Sequence, residues 1–266
     1  MDMFDRDGVR IAYSDASSGF PVLFIHGTAT LGELWASDLS ELADHVRFIV
    51  YNRRGYGDSS ISPENWGGHA DDAIGLIEAL AAAPAMLIGY SAGSTIALDL
   101  ALRRPDLVAG VILVDPAFNL KRCLTPRFLA TLARVRLDRR RHGDVAAAEE
   151  WLRYVSSYST GGSAYQTKTS AERKAKLLAN TAGIFADLAS GSGDVDERRL
   201  REIAAPVTII DAKLSPPFLR RSCRRLVRLL PQASRVTFEN SGHWVGLDAR
   251  EDLIKVIRTA IRPLSG

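Results

Sequence analysis

Short unbroken apolar runs alternate with stretches of helical periodicity along most of the chain. Val22-Leu23-Phe24-Ile25, Ala85-Met86-Leu87-Ile88 and Gly110-Val111-Ile112-Leu113-Val114 are short, apolar throughout and bounded by turn residues, and residues 46–51 are apolar apart from Arg47. Each predicts a strand buried on both faces. Residues 9–14 alternate weakly and predict a first hairpin strand, while 206–211 and 235–239 predict the last two. Helices are expected between them. Residues 33–43 and 95–102 read as helical, and 69–83 carry a stripe of Ala73, Ile74, Ile77, Leu80 and Ala81 that Pro84 stops. Residues 218–230 predict an Arg-dense helix, and Leu253, Ile254, Ile257 and Ile261 mark a closing one. Strands that alternate with helices predict an α/β fold whose parallel sheet is covered on both faces, with a ligand site at the carboxyl ends of the strands.

Residues 117–203 break this rhythm. Helical patterns occupy 124–141, 144–158 and 170–189, no strand is evident, and Gly161-Gly162-Ser163 and Gly191-Ser192-Gly193 read as flexible joints. The expected organisation is therefore a core of residues 1–116 and 204–266 with a helical cap of residues 117–203 inserted into it. Arg134–Arg141 is a basic run within the insertion, read as a solvated helix face rather than a clamp for an anionic substrate.

The chemistry concentrates where one strand meets its helix. The run ending at Ile88 passes through Gly89-Tyr90-Ser91-Ala92-Gly93 straight into a second apolar run, which leaves almost no room to turn. The backbone must reverse at Ser91. Side chains at positions 89 or 93 would collide with the neighbouring strand or helix, so both are glycine. The turn exposes the Ser91 hydroxyl above a helix start whose free N–H groups can face an anion. Ser91 is thus the expected nucleophile.

This G-x-S-x-G turn resembles the nucleophile turn of the α/β-hydrolase superfamily, and other segments extend the resemblance. His26-Gly27-Thr28-Ala29 after the strand 22–25 looks like the superfamily's oxyanion loop, which implies paired N–H donors from Thr28 and Ala92. His26 itself is expected to shape that loop by hydrogen bonding to backbone. Asn52-Arg53-Arg54-Gly55-Tyr56-Gly57-Asp58-Ser59 is similar to the D-x-R-G-x-G-x-S support loop, with Asn52 where Asp is usual. Ser241-Gly242-His243-Trp244 after the last strand matches the catalytic-histidine loop, and a serine hydroxyl needs such an imidazole to take its proton. The resemblance implies an eight-stranded, mostly parallel sheet with an α-helical cap.

The orienting carboxylate departs from the common pattern. It usually lies a few residues past the next-to-last strand, but aligning on Pro216 puts Ser215 there. Asp115 ends an earlier strand, where haloalkane dehalogenase-like and zearalenone lactonase-like branches carry their acid. Asp115 is therefore the expected acid, with Asp211 as the alternative.

Composition narrows the alternatives. The 266 residues are 46% hydrophobic with a formal net charge of +3, which suits a sizeable core and gives no reason to expect nucleic-acid binding. Cys123 and Cys223 stand in no metal-ligand or redox spacing, and Met1–Asp7 lacks an apolar signal region. No membrane partner, metal or organic cofactor is expected, and the cytoplasm is the expected location. The resemblance implies a serine hydrolase acting on a carboxylic ester or lactone of a small to medium, largely apolar molecule. Trp35, Trp66, Phe118, Trp151 and Trp244 are candidates for the substrate-pocket wall. Carbon–carbon bond hydrolysis, cofactor-free perhydrolysis and slow small-molecule binding without turnover are the alternatives on the same scaffold.

Overall fold

Alternate residues of the apolar strands enter two separate cores on opposite faces of one sheet. The computed structural model describes residues 1–60, 68–190 and 195–264. Its strands are β1 (Asp2–Arg6), β2 (Val9–Ala16), β3 (Pro21–Ile25), β4 (Arg47–Tyr51), β5 (Ala85–Tyr90), β6 (Val108–Val114), β7 (Val207–Ala212) and β8 (Ser234–Phe238). They form one eight-stranded sheet in the order β1-β2-β4-β3-β5-β6-β7-β8. The pairs β1–β2 and β2–β4 are antiparallel and the rest are parallel, with Phe24 beside Ile88 and Ile88 beside Ile112. This is the mostly parallel α/β-hydrolase sheet that the sequence implies.

The helices before the insertion are α1 (Gly32–Asp38), α2 (His69–Ala79) and α3 (Gly93–Arg103). Between β6 and β7 come α4 (Pro126–His142), α5 (Asp144–Val155), α6 (Ala164–Thr167), α7 (Ala171–Leu178) and α8 (Thr181–Ser190). The chain closes with α9 (Pro217–Leu229), α10 (Val245–Asp248) and α11 (Arg250–Ile261). Leu23, Ile25, Leu87, Val111 and Leu113 pack under α2, α3 and α9. Phe24, Ile88, Ile112 and Ile210 pack on the other face under α1 and α11. A third cluster joins Phe128, Trp151, Leu152, Ile184 and Phe185 of the inserted helices to Ala29, Leu31 and Tyr56 of the loops above the sheet and to Phe218 at the start of α9.

Three local expectations change. The acidic start of the chain is an edge strand, β1, closed onto β2 by Asp7 and Gly8 at φ 51° and 79°. Asp-Gly is a favoured two-residue hairpin turn because both positions take positive φ. The helix expected over 33–43 ends at Asp38 and continues as a 3₁₀ turn, Ser40–Asp44. The helix expected over 170–189 is two, α7 and α8. They part at Asn180, whose amide donates to the Lys176 carbonyl at 2.7 Å while its oxygen accepts the Gly57 N–H at 2.7 Å. The joint expected at 191–193 lies outside the described residues. The basic run on α4 faces outward, with Arg134 paired to Glu150 at 3.2 Å and Arg139 to Asp144 at 2.8 Å. Among the described residues no helix is long and apolar enough to cross a membrane.

The turn between β5 and α3 leaves no space at its two glycines. A Cβ on Gly89 would lie 2.6 Å from the Ser94 Cα, and one on Gly93 would run into the Ile25 carbonyl. Both obstacles are backbone, so neither can rotate away. Gly93→Ala is expected to destabilise the fold by about 3 kcal/mol or more. Gly8→Ala, where φ is 79° in the β1–β2 turn and nothing lies within 4 Å, should cost only about 1–2 kcal/mol for the left-handed backbone. Urea unfolding of the two variants measures the difference; equal losses would mean that the close approach of α3 to β3 is not what requires Gly93.

Candidate active site

The site forms where β3, β5 and β6 end beside one another. Ser91 follows β5 at φ 54°, a left-handed conformation that costs a non-glycine residue about 1–2 kcal/mol. Its N–H donates to the Val114 carbonyl at 3.0 Å, and its own carbonyl accepts from Ser94 and Ala117 at 3.0 and 3.1 Å. The turn is therefore bonded both to the helix that follows and to the end of β6.

His243 arrives from the loop between β8 and α10. Its ring lies against Tyr90, with centroids 5.0 Å apart and planes 23° apart, and its carbonyl accepts from the Tyr90 hydroxyl at 2.9 Å. The Nε2 atom is 3.0 Å from Ser91 Oγ, and Nδ1 is 2.6 Å from Asp115 Oδ2. A carboxylate only accepts, so Nδ1 carries the proton and Nε2 presents a lone pair to the serine hydroxyl.

Of the two candidate acids, only Asp115 meets the ring. It sits just past β6 at φ 41°, fully buried, and also accepts from Ser215 Oγ at 2.7 Å and from the Ala212 N–H at 3.3 Å. Ser215 occupies the common acid position and instead donates to the acid that took over the contact. Asp211 pairs with Arg235 of β8. The difference lies in where each strand ends. Asp211 is still inside β7 and faces away from Ile210 and Ala212, whereas Asp115 follows the last residue of β6 and leaves the strand with a left-handed backbone.

Ser91, Ala92 and Thr28 line one cavity of about 230 Å³. The rest of its wall is largely apolar and includes Phe128, Leu132, Trp151, Val155, Phe218 and Leu219. Thr28 lies in the loop just past β3, and Ala92 is the residue that caps α3. No bond from either N–H to another described residue is present. Trp151 is thus on the wall, but Trp35, Phe118 and Trp244 are not. Trp35 stacks on Phe24 at 4.5 Å within the core under α1, and Phe118 is fully buried against the core under α3 and α9. Trp244 meets the Tyr165 ring edge-on at 6.1 Å, and it and Trp35 border a much smaller void that also touches His243 and Thr28. Trp66 lies outside the described residues. Among those residues no cluster of three or more His, Cys, Asp or Glu side chains could hold a metal.

Sequence reasoning did not find Asp187. It is a lone acid in the apolar stretch Ile184-Phe185-Ala186-Asp187-Leu188-Ala189, and it reaches the cavity from α8. Its carboxylate pairs with Arg53 at 2.6 Å and accepts from the Tyr56 and Thr28 hydroxyls at 2.7 Å each. Burial favours its neutral form, but the Arg53 charge outweighs this and holds it below the usual carboxylate range.

His26 works on the backbone. Its Nε2 accepts the Arg53 N–H at 2.9 Å, so Nδ1 donates to the Gly27 carbonyl at 2.7 Å. Burial, then the nearby Arg53 charge, keeps its pKa well below the ordinary value. The same two causes push His69 down to about 3. Both rings are neutral in the folded chain and take up protons once it unfolds. Stability should therefore decline as pH falls below about 6.5, by about 1.4 kcal/mol per pH unit for each ring until its folded-state pKa is reached. Urea unfolding between about pH 7.5 and 5 tests this. His69→Gln should remove roughly half of the slope, and a flat profile in the parent chain would contradict the assignment.

Comparison with known proteins agrees with this architecture. Residues 22–256 match the model of the Alpha/beta hydrolase family. The chain is 27% identical over 271 residues to 2-(acetamidomethylene)succinate hydrolase of Mesorhizobium japonicum, covering 97% of this chain and 93% of the relative. It is 34% identical over 119 residues to 2-hydroxymuconate semialdehyde hydrolase of Pseudomonas sp. strain CF600, which covers 41% of each chain. A thermophilic esterase from Thermogutta terrifontis superposes with a TM-score of 0.79 at 25% identity, covering 99% of this chain and 97% of the other. With a matching family model over most of its length and the eight-stranded sheet that goes with it, the protein is a member of the alpha/beta hydrolase family.

Proposed function

We propose that the protein is a serine hydrolase that cleaves a carboxylic ester or lactone of a small to medium, largely apolar molecule through an acyl-enzyme. The observation that carries this reading is the continuous hydrogen-bond chain Asp115–His243–Ser91, which ends at the cavity lined by Thr28 and Ala92.

Ser91 Oγ attacks the substrate carbonyl while His243 Nε2 takes its proton. Asp115 holds the ring in the tautomer that makes this possible and stabilises the imidazolium that results. Ser215 and the Ala212 N–H hold the carboxylate in place. Negative charge developing on the carbonyl oxygen is met by the Thr28 and Ala92 N–H groups, a type of donor worth about 3 kcal/mol each in the transition state. His243 gives its proton to the leaving alkoxide. The same ring then deprotonates a water that attacks the acyl-enzyme and releases the acid. Phe128, Leu132, Trp151 and Phe218 would contact an apolar acyl or alkyl group. The helices of 117–203 would act as the cap that excludes solvent from it. No metal or organic cofactor has a step in this sequence.

The similarity to 2-hydroxymuconate semialdehyde hydrolase supports a second reading, in which the same serine and histidine cleave a carbon–carbon bond next to a carbonyl. The two readings differ in the bond, not in the nucleophile.

A fluorophosphonate probe and a panel of p-nitrophenyl esters, aromatic lactones and diketones test the proposal. Ser91 is expected to be the labelled residue, and Ser91→Ala should abolish both labelling and turnover. Asp115→Asn should lower kcat by ~10⁴ with the fold retained, whereas Asp211→Asn should leave kcat nearly unchanged. A folded chain whose Ser91 does not label, or a large loss with Asp211→Asn alone, would overturn this assignment.

A further inference from the structure

Asp187 belongs to an inserted helix, yet its strongest contacts are with the loops that build the floor of the site. The carboxylate atom Oδ2 accepts three bonds at once, from Thr28 Oγ1 at 2.7 Å, Tyr56 Oη at 2.7 Å and Arg53 Nη2 at 2.6 Å. Having spent its proton on Asp187, the Tyr56 oxygen accepts the Ala29 N–H at 3.3 Å. Two consecutive residues of the oxyanion loop are therefore tied to one carboxylate, Thr28 through its side chain and Ala29 through a single intermediary. Ala29 stands at φ 61°, a conformation that a non-glycine residue keeps only when its surroundings enforce it.

The helix that brings this carboxylate is seated on the same group of loops. Asn180 accepts the Gly57 N–H at 2.7 Å, and at Gly183 a Cβ would come within 2.9 Å of the Tyr56 ring. Asn180, Gly183 and Asp187 follow one another at spacings of three and four, which places them on one side of the helical path. That side meets the Arg53–Gly57 loop and, through it, Thr28 and Ala29.

We propose that Asp187 is a positioning residue that makes the Thr28 oxyanion donor competent only while α8 is seated. The proposal rests on the hydrolase reading above. The Thr28 N–H and its side chain share one Cα, and the next peptide is fixed by the Tyr56 hydroxyl. With α8 in place the N–H is aimed beside Ser91. When α8 moves away, the Thr28 hydroxyl and Tyr56 lose their shared acceptor, and the left-handed Ala29 loses the bond that holds it. The donor then loses its direction while Ser91 and His243 stay in register, because neither contacts Asp187.

The test compares Thr28→Val, Asp187→Asn and the double variant. Valine keeps the threonine's shape and leaves the Asp187 carboxylate its Arg53 and Tyr56 partners, so the fold should be retained. Each single variant is expected to lower kcat and the affinity for a trifluoromethyl ketone analogue by up to ~10²-fold, as a misplaced oxyanion donor would. KM and the affinity for the carboxylate product should change little. The double variant should lose no more than the worse single one, since both remove the same link. Unchanged kcat and analogue affinity in Thr28→Val, or losses that multiply in the double variant, would overturn the proposal. Hydrogen exchange at residues 26–31 reads the link without any substrate. Faster exchange there in Asp187→Asn is expected, and unchanged protection would overturn the proposal, even in a chain whose Ser91 proved unreactive toward the phosphonate.

Discussion

The position of Ser91 depends on how closely α3 approaches the ends of β3 and β5. Backbone atoms occupy the space where side chains at 89 and 93 would go. The chain must therefore reverse within one residue, and Ser91 takes a left-handed conformation that would otherwise be avoided. The bonds from this turn to the end of β6 then place residue 115 beside it. A steric constraint fixes the place of Ser91, and the pairing of β5 with β6 brings Asp115 within reach of the His243 imidazole.

Ser91, Ala92 and His243 were legible because their signals are local. A strand, a five-residue turn and a helix leave few conformations open, and Ser-Gly-His after the last strand is a compact string. The acid was not legible in the same way. Asp115 and Asp211 both look like the ends of buried strands, and choosing between them needs the residue at which each strand actually leaves the sheet. That depends on how β6 and β7 pair and on where the loop after β8 delivers its ring. Ser215 looked like a defect in the pattern for the same reason: its partner lies 100 residues away in the chain.

What was missed follows a similar logic. Strand β1 has a polar, half-exposed sequence, and its one local clue is Asp7-Gly8. The break between α7 and α8 falls at Asn180, which prefers its bond to Gly57 over continuing the helix. Asp187 was hidden in an apolar helical stretch because its partners come from loops after β3 and β4. The pocket aromatics divide the same way. Trp35 and Trp151 look equally available as sequence, but one lies beneath the sheet's helices and the other under the inserted ones.

Asp115 also stands at the root of the helices between β6 and β7. The acid is followed at once by the point where the inserted helices leave the sheet. That root is clamped: the Phe118 N–H donates to Ser222 Oγ at 2.7 Å, and the same hydroxyl donates to the Pro116 carbonyl at 2.7 Å. The Ser215 hydroxyl after β7 holds the same Asp115 carboxylate. The helices between β6 and β7 thus meet the floor of the cavity at two separate points, this clamped root beside Asp115 and the Asp187 contact with Thr28. A strain that shifts α8 has no direct path through residue 118 to the carboxylate at 115.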